Sequence, residues 1–239
     1  MTQSIRTGTV SGIEMVSPTT FTLAFTCEPS STYASGQYVE LGFFEADGEP
    51  PAKYMPFSIA SAPSEPLLHV CVKKNEGSEQ LQRLASLSPG DTFAVRGPSG
   101  GFLYESEPSK AVCMIGTGTG IAPLRSMLKE HLPQRSQDVR TICLHGIFSE
   151  EEYLYREEFE GHKGLEYLPC ISDPTEAWKG ESGFKGQVDH YLEANEDFVN
   201  WSQTDFYLCG HVPMVLHVRK TLMERGVPRE SIFHEKWIK

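Results

Sequence analysis

The stretch Ala111-Val112-Cys113-Met114-Ile115-Gly116-Thr117-Gly118-Thr119-Gly120-Ile121-Ala122-Pro123 decides the fold. Its opening apolar run reads as a strand buried on both faces, as in a parallel sheet. The alternating glycines that follow permit a tight turn and close backbone approach, and Pro123 suits a first helical turn, where no paired amide is lost. Strand, glycine loop and helix in that order form an anion site, because free amides and the positive end of the helix dipole face the incoming charge. Gly116, Thr117, Gly118, Thr119 and Gly120 are therefore candidate pyrophosphate-binding residues. An ordinary strand-to-helix turn is the competing reading, which the alternate glycines with two threonines weaken. The spacing is not G-x-G-x-x-G, and no acidic residue closes the next strand, which runs into His145-Gly146-Ile147-Phe148. The standard dehydrogenase fingerprint is therefore a poor match.

Downstream, strands alternate with helices. Strands are expected at Thr141 to His145, Leu165 to Cys170 and Phe206 to Cys209, with helices at Leu124 to His131, Glu151 to Glu160, Val188 to Ala194 and Pro213 to Glu224. That alternation predicts an α/β nucleotide-binding domain with a parallel sheet. Upstream, short β-like runs (Phe21 to Phe25, Tyr38 to Leu41, Leu67 to Val72, Thr92 to Val95) are punctuated by Gly and Pro. They predict a small antiparallel β-barrel, with one helix from Glu79 to Leu87. The expected domains are 1–104 and 105–239, with the change falling between Phe102 and Lys110.

A net charge of -11 argues against nucleic-acid binding and against adhesion to anionic membranes, which need basic surfaces. Apolar runs fall well short of the roughly 20 residues of a membrane span. The polar N-terminus lacks a secretory apolar core, so a cytoplasmic location is expected. The 6 cysteines are scattered, which reads as reduced buried thiols and not as a metal or iron–sulfur clip. No metal is expected, and electrons moving through this chain need an organic cofactor.

Five segments in chain order resemble the ferredoxin–NADP reductase superfamily, which takes in flavin reductases, ferredoxin or flavodoxin reductases and oxygenase reductase components. They are Gly36-Gln37-Tyr38-Val39, Pro56-Phe57-Ser58-Ile59-Ala60-Ser61, Gly97-Pro98-Ser99-Gly100-Gly101-Phe102, Gly118-Thr119-Gly120-Ile121-Ala122-Pro123, and Tyr207-Leu208-Cys209-Gly210-His211-Val212-Pro213-Met214. The resemblance implies a flavin-binding barrel followed by a nicotinamide-binding domain, with the flavin ring between them. It implies catalytic roles for Ser58, near flavin N5, for Cys209, beside the nicotinamide, and for Glu235, in the tail Glu235-Lys236-Trp237. Trp237 is then expected to cover the flavin, and Phe57 to pack on it; packing in the core is the competing reading for each ring. Met55, Pro56, Ile59, Val72 and Lys73 are implied flavin neighbours. Gly77-Ser78-Glu79-Gln80 is an implied phosphate element, with a plain N-cap by Ser78 as the alternative. Gly210, Pro213 and Met214 are implied nicotinamide contacts.

Two departures matter. The family arginine before the flavin strand is Met55 here, and Lys53, by strand alternation on the same face, is expected to compensate. Basic residues that grip the 2′-phosphate of NADPH are replaced by Phe148 and Asp173. A carboxylate repels a phosphate dianion and accepts hydrogen bonds from ribose hydroxyls, so NADH is expected over NADPH; a loop cap before Pro174 is the competing reading for Asp173. The implied cofactor is FAD, with FMN as the alternative. The implied acceptor is a redox protein such as a ferredoxin, a flavodoxin or an oxygenase component. Two rival readings stand: a flavin reductase that releases reduced flavin, and a non-catalytic relay or regulatory subunit.

Overall fold

A computed structural model describes residues 4–29, 32–180 and 183–237. The first sheet contains β1 (Arg6–Ser17), β2 (Thr20–Glu28), β3 (Tyr38–Gly42), β4 (Met55–Ser58), β5 (Leu68–Lys73) and β6 (Thr92–Ser99), all antiparallel in the order β4-β3-β6-β1-β2-β5. Its two ends meet: Ile59, just past β4, bridges to Val70 of β5, and the Ala60 amide donates to the His69 carbonyl at 2.7 Å. The sheet thus closes into a barrel, which leaves no long unpaired edge. Its interior is filled by inward-facing Phe21, Leu23, Phe25, Val39, Leu41, Phe93 and Val95. β1 is not marked in the sequence, because its glycines and threonines dilute the apolar alternation, and pairing with β2 and β6 fixes it.

Helix α1 (Glu79–Ala85) lies between β5 and β6 and starts at Ser78, whose hydroxyl accepts the Leu81 amide. The second sheet comprises β7 (Ala111–Thr117), β8 (Thr141–Ile147), β9 (Leu165–Ile171), β10 (Phe184–Lys185), β11 (Thr204–His211) and β12 (Ile232–Trp237), all parallel in the order β10-β9-β8-β7-β11-β12. Helices α2 (Ile121–His131), α3 (Arg156–Gly161), α4 (Val188–Ala194) and α5 (Val212–Glu224) cover it. Alternation along the strands separates two cores. Met114, Tyr207 and Cys209 pack with α2 on the barrel side, whereas Cys113, Ile115, Phe206 and Leu208 pack with α4 and α5 on the other. All the cysteines are buried, and none is in a disulfide.

The helix expected from Glu151 to Glu160 is corrected. Tyr155 sits at φ 57°, in the left-handed region, and only Arg156–Gly161 is α-helical. The break turns the Tyr155 ring toward the barrel, where its hydroxyl lies 2.9 Å from Thr22 Oγ1. Among the described residues no helix is long and apolar enough to cross a membrane.

Candidate functional site at the junction of barrel and sheet

Ser58 ends β4 in register with Tyr38, which in turn pairs with Ser99, on the outer face of the barrel. The Ser58 hydroxyl is almost fully buried and donates to Glu235 Oε2 at 3.2 Å. Glu235 lies on β12 in register with Cys209 of β11, and Cys209 is in register with Gly116 of β7. The catalytic candidates therefore converge from two sheets. Cys209 is buried in the cluster that also holds Ala60 and Ile121. Burial pushes the Glu235 carboxyl pKa above its ordinary value, and the Ser58 hydrogen bond pulls it partway back.

The glycine loop folds as expected: Gly116 and Thr117 end β7, Gly118–Gly120 form one tight turn, and α2 begins at Ile121. Gly120 has no alternative, because a Cβ there would lie 2.4 Å from the Cys209 carbonyl oxygen. Thr117 ties the loop to Gly210 and its neighbour, accepting the His211 amide on Oγ1 at 3.1 Å. Between the C-terminal ends of β7, β8 and β11 opens a cleft of about 510 Å³, lined by Thr117, Gly146, Phe148, Asp189, Pro213 and Met214 among others. Asp173 is adjacent, its amide donating to the Phe148 carbonyl at 2.8 Å, and both side chains are exposed.

The remaining flavin-strand candidates divide. Ile59, Phe57 and Val72 are buried in the barrel core, and Met55 packs against it. Pro56 is exposed. Lys53 is also exposed and precedes β4, so strand alternation does not reach it. Lys73 forms an ion pair at 3.3 Å with Glu152, in the short turn after β8. The Gly77 amide donates to Asn75 Oδ1, and Glu79 and Gln80 form the first turn of α1. The Trp237 backbone pairs with His211, while its side chain lies outside the described residues.

Residues 114–220 match the family described as the oxidoreductase NAD-binding domain. A ferredoxin–NADP reductase B of Sorangium cellulosum is 31% identical over 214 residues, which cover 86% of this chain and 85% of that protein. The chain belongs to the ferredoxin–NADP reductase family. A Bacillus thuringiensis flavohemoprotein is 26% identical over 216 residues, and the chain spans only 53% of its length. By fold, it superposes on the flavohem-like FAD/NAD-binding domain of a Vibrio cholerae nitric oxide dioxygenase with a TM-score of 0.83, at 20% identity, covering 97% of this chain and 98% of that one.

In this ferredoxin–NADP reductase family member further residues, outside the motifs above, tie structural elements together. Arg125, on the otherwise apolar face of α2, is buried; it donates to the Ala60 carbonyl at 2.7 Å and pairs with Glu158 at 2.7 Å. With Ser126, which donates to the Ser61 carbonyl at 2.6 Å, it clamps the flavin-strand segment onto the nucleotide loop's helix. Arg96 of β6 stacks its guanidinium 3.7 Å from the Tyr54 ring centroid, and Arg96 Nε and the Tyr54 hydroxyl are buried without hydrogen-bond partners. An arginine set within the mostly apolar run Ile121 to Leu128 is the sequence signal for the first; nothing in the sequence marks the second.

Proposed function

We propose that this protein takes a hydride from NADH onto bound FAD and passes the electrons to a separate redox protein, such as a ferredoxin, a flavodoxin or an oxygenase component. The observation that carries this reading is the convergence of Ser58, Glu235 and Cys209 where the outer barrel face meets the C-terminal ends of the parallel strands. Open α/β sheets bind nucleotides at that end. The unused hydrogen-bonding capacity of Arg96 and Tyr54 fits a polar cofactor chain running along the same side of the barrel. The FAD/NAD-binding domain from Vibrio cholerae supports the pairing of cofactors.

A flavin accepts a hydride and releases single electrons, so it supplies the bridge between a two-electron donor and a one-electron acceptor. The chain's own groups do the rest. The loop amides and the α2 dipole hold the pyrophosphate, and Pro213 and Met214 shape the adjoining cleft. Ser58 gives its one hydroxyl proton to Glu235 Oε2, which fixes the oxygen's lone pairs to accept a hydrogen bond at the reacting centre. Cys209, packed at the strand end, helps exclude water from the reacting centre. Phe148 and Asp173 offer no cation to a 2′-phosphate, which supports NADH over NADPH. Lys53 stands as the cation for the flavin phosphate, exposed beside the start of β4.

A second reading, a reductase that releases reduced flavin, is favoured by Met55, which packs on the barrel core where a fixed cation would tighten flavin binding. The purified protein decides between them. Yellow protein that yields FAD and is bleached anaerobically by NADH at lower concentration than by NADPH supports the first reading. Colourless protein that reduces added flavin supports the second, and failure of both nicotinamides to reduce any flavin refutes both.

A further inference from the structure

β8 ends in a buried imidazole beside the glycine loop. His145 is 0% exposed, with Nε2 3.1 Å from the Gly118 carbonyl oxygen and Nδ1 3.0 Å from the Tyr167 hydroxyl. Burial pushes its pKa down to about 4, so the neutral ring is the species present near neutrality. A carbonyl only accepts, which puts the ring proton on Nε2. Nδ1 is then an acceptor, and the Tyr167 O–H donates to it. The order of donation is fixed: Tyr167 to His145 to Gly118.

Gly118 sits at φ 51°, where a residue without Cβ is unstrained and its following peptide has the freedom to turn over. Its carbonyl also accepts the Ile121 amide, leaving a second lone pair for His145. A trans peptide is planar, so its C=O and N–H point in opposite directions. Holding the Gly118 carbonyl toward the buried ring therefore turns the Thr119 amide away from it, to the open side of the loop.

We propose that His145, oriented by Tyr167, is a positioning residue that locks the Gly118–Thr119 peptide with its amide outward and so pre-forms the pyrophosphate loop. The inference rests on the dinucleotide reading above. A loop that spends part of its time with this peptide reversed binds more weakly in proportion to the fraction lost. Chemistry on the bound dinucleotide is untouched, because neither side chain reaches the Ser58–Glu235 pair.

The test compares the wild-type protein with His145→Gln and with the double variant His145→Leu/Tyr167→Phe, by NADH kinetics with ferricyanide as acceptor and by thermal melting. Gln keeps a donor nitrogen near the place of Nε2. The double variant makes both partners apolar, so no hydroxyl is orphaned. The double variant is expected to raise the NADH KM about tenfold with kcat within about twofold of wild type, and Gln to restore most of the affinity. An unchanged KM in the double variant overturns the inference, as does a fall in kcat matching the rise in KM, or a Gln variant no better than the double variant at equal melting temperature. Should the double variant melt below the assay temperature, Tyr167→Phe alone is expected to raise KM about threefold, and no rise overturns the inference. A wild-type protein that does not oxidise NADH refutes the dinucleotide reading and this inference together; an NADH-active wild type with unresponsive variants refutes this inference alone.

Discussion

The Ser58 hydroxyl donates to the Glu235 carboxylate at 3.2 Å, joining the end of a barrel strand to the last strand of the parallel sheet. The two residues are far apart in sequence, and no local pattern in either segment requires the other. Hydrogen bonds to charged groups are worth about 1.5–3 kcal/mol, so Ser58→Ala is expected to slow flavin reduction by about 10- to 100-fold. Rapid-mixing measurement of flavin bleaching at saturating NADH checks this. A variant that bleaches at the wild-type rate removes Ser58 from the reacting centre.

Glu235 carries a stability cost that depends on pH. Burial raises its folded-state pKa above the ordinary 4.5, so between that value and the raised one the folded protein holds more protons than the unfolded chain. Stability from this group is therefore full below about pH 4.5 and is lost as pH rises through the folded pKa. Glu235→Gln is expected to melt higher than wild type at pH 7–8, with the difference shrinking toward pH 4, while flavin reduction slows. Melting curves across pH check the sign; a variant that melts lower at pH 8 than at pH 4, relative to wild type, contradicts it.

Phe148 and Asp173 are joined by the Asp173 amide and the Phe148 carbonyl, so both exposed side chains flank one corner of the cleft. Asp173→Arg replaces a repulsive charge with one able to pair with a phosphate. The NADPH KM is expected to fall about tenfold, equivalent to about 1.4 kcal/mol, with the NADH KM rising. Unchanged preference moves the determinant elsewhere in the cleft.

Lys53 is exposed, and exposed ion pairs are weak, so Lys53→Ala is expected to weaken FMN binding by at most about fivefold. Riboflavin, which has no phosphate, is expected to bind wild type and variant alike. Equal losses for FMN and riboflavin, measured by fluorescence quenching, place Lys53 away from the phosphate.

Much of this was legible in the chain. The glycine loop declared itself because a buried strand, alternate glycines and Pro123 must fold as a turn into a helix, and the structure forms it between β7 and α2. Cys209 and Gly210 are marked by the resemblance alone, and they lie at the end of β11. What stayed hidden depended on distant partners. β12 read only as a tail because Ile232-Phe233-His234-Glu235 lacks clear alternation, and it is a strand because β11 supplies its ladder. Tyr155 takes its left-handed backbone to reach Thr22, and nothing in the run Thr141 to His145 shows that Tyr167 and Gly118 meet the two nitrogens of His145. Phe57, set among flavin-like residues in sequence, packs in the barrel core because it shares the inward register of Val39.

The most direct test is the anaerobic rate of flavin bleaching by NADH compared with NADH deuterated at nicotinamide C4, in wild type and in Ser58→Ala. With hydride transfer proposed at the meeting point of Ser58, Glu235 and Cys209, bleaching is expected to be slower with the deuterated donor and slower again in the variant. Bleaching that is indifferent to both deuterium and the variant, or no bleaching of bound flavin at all, would contradict it.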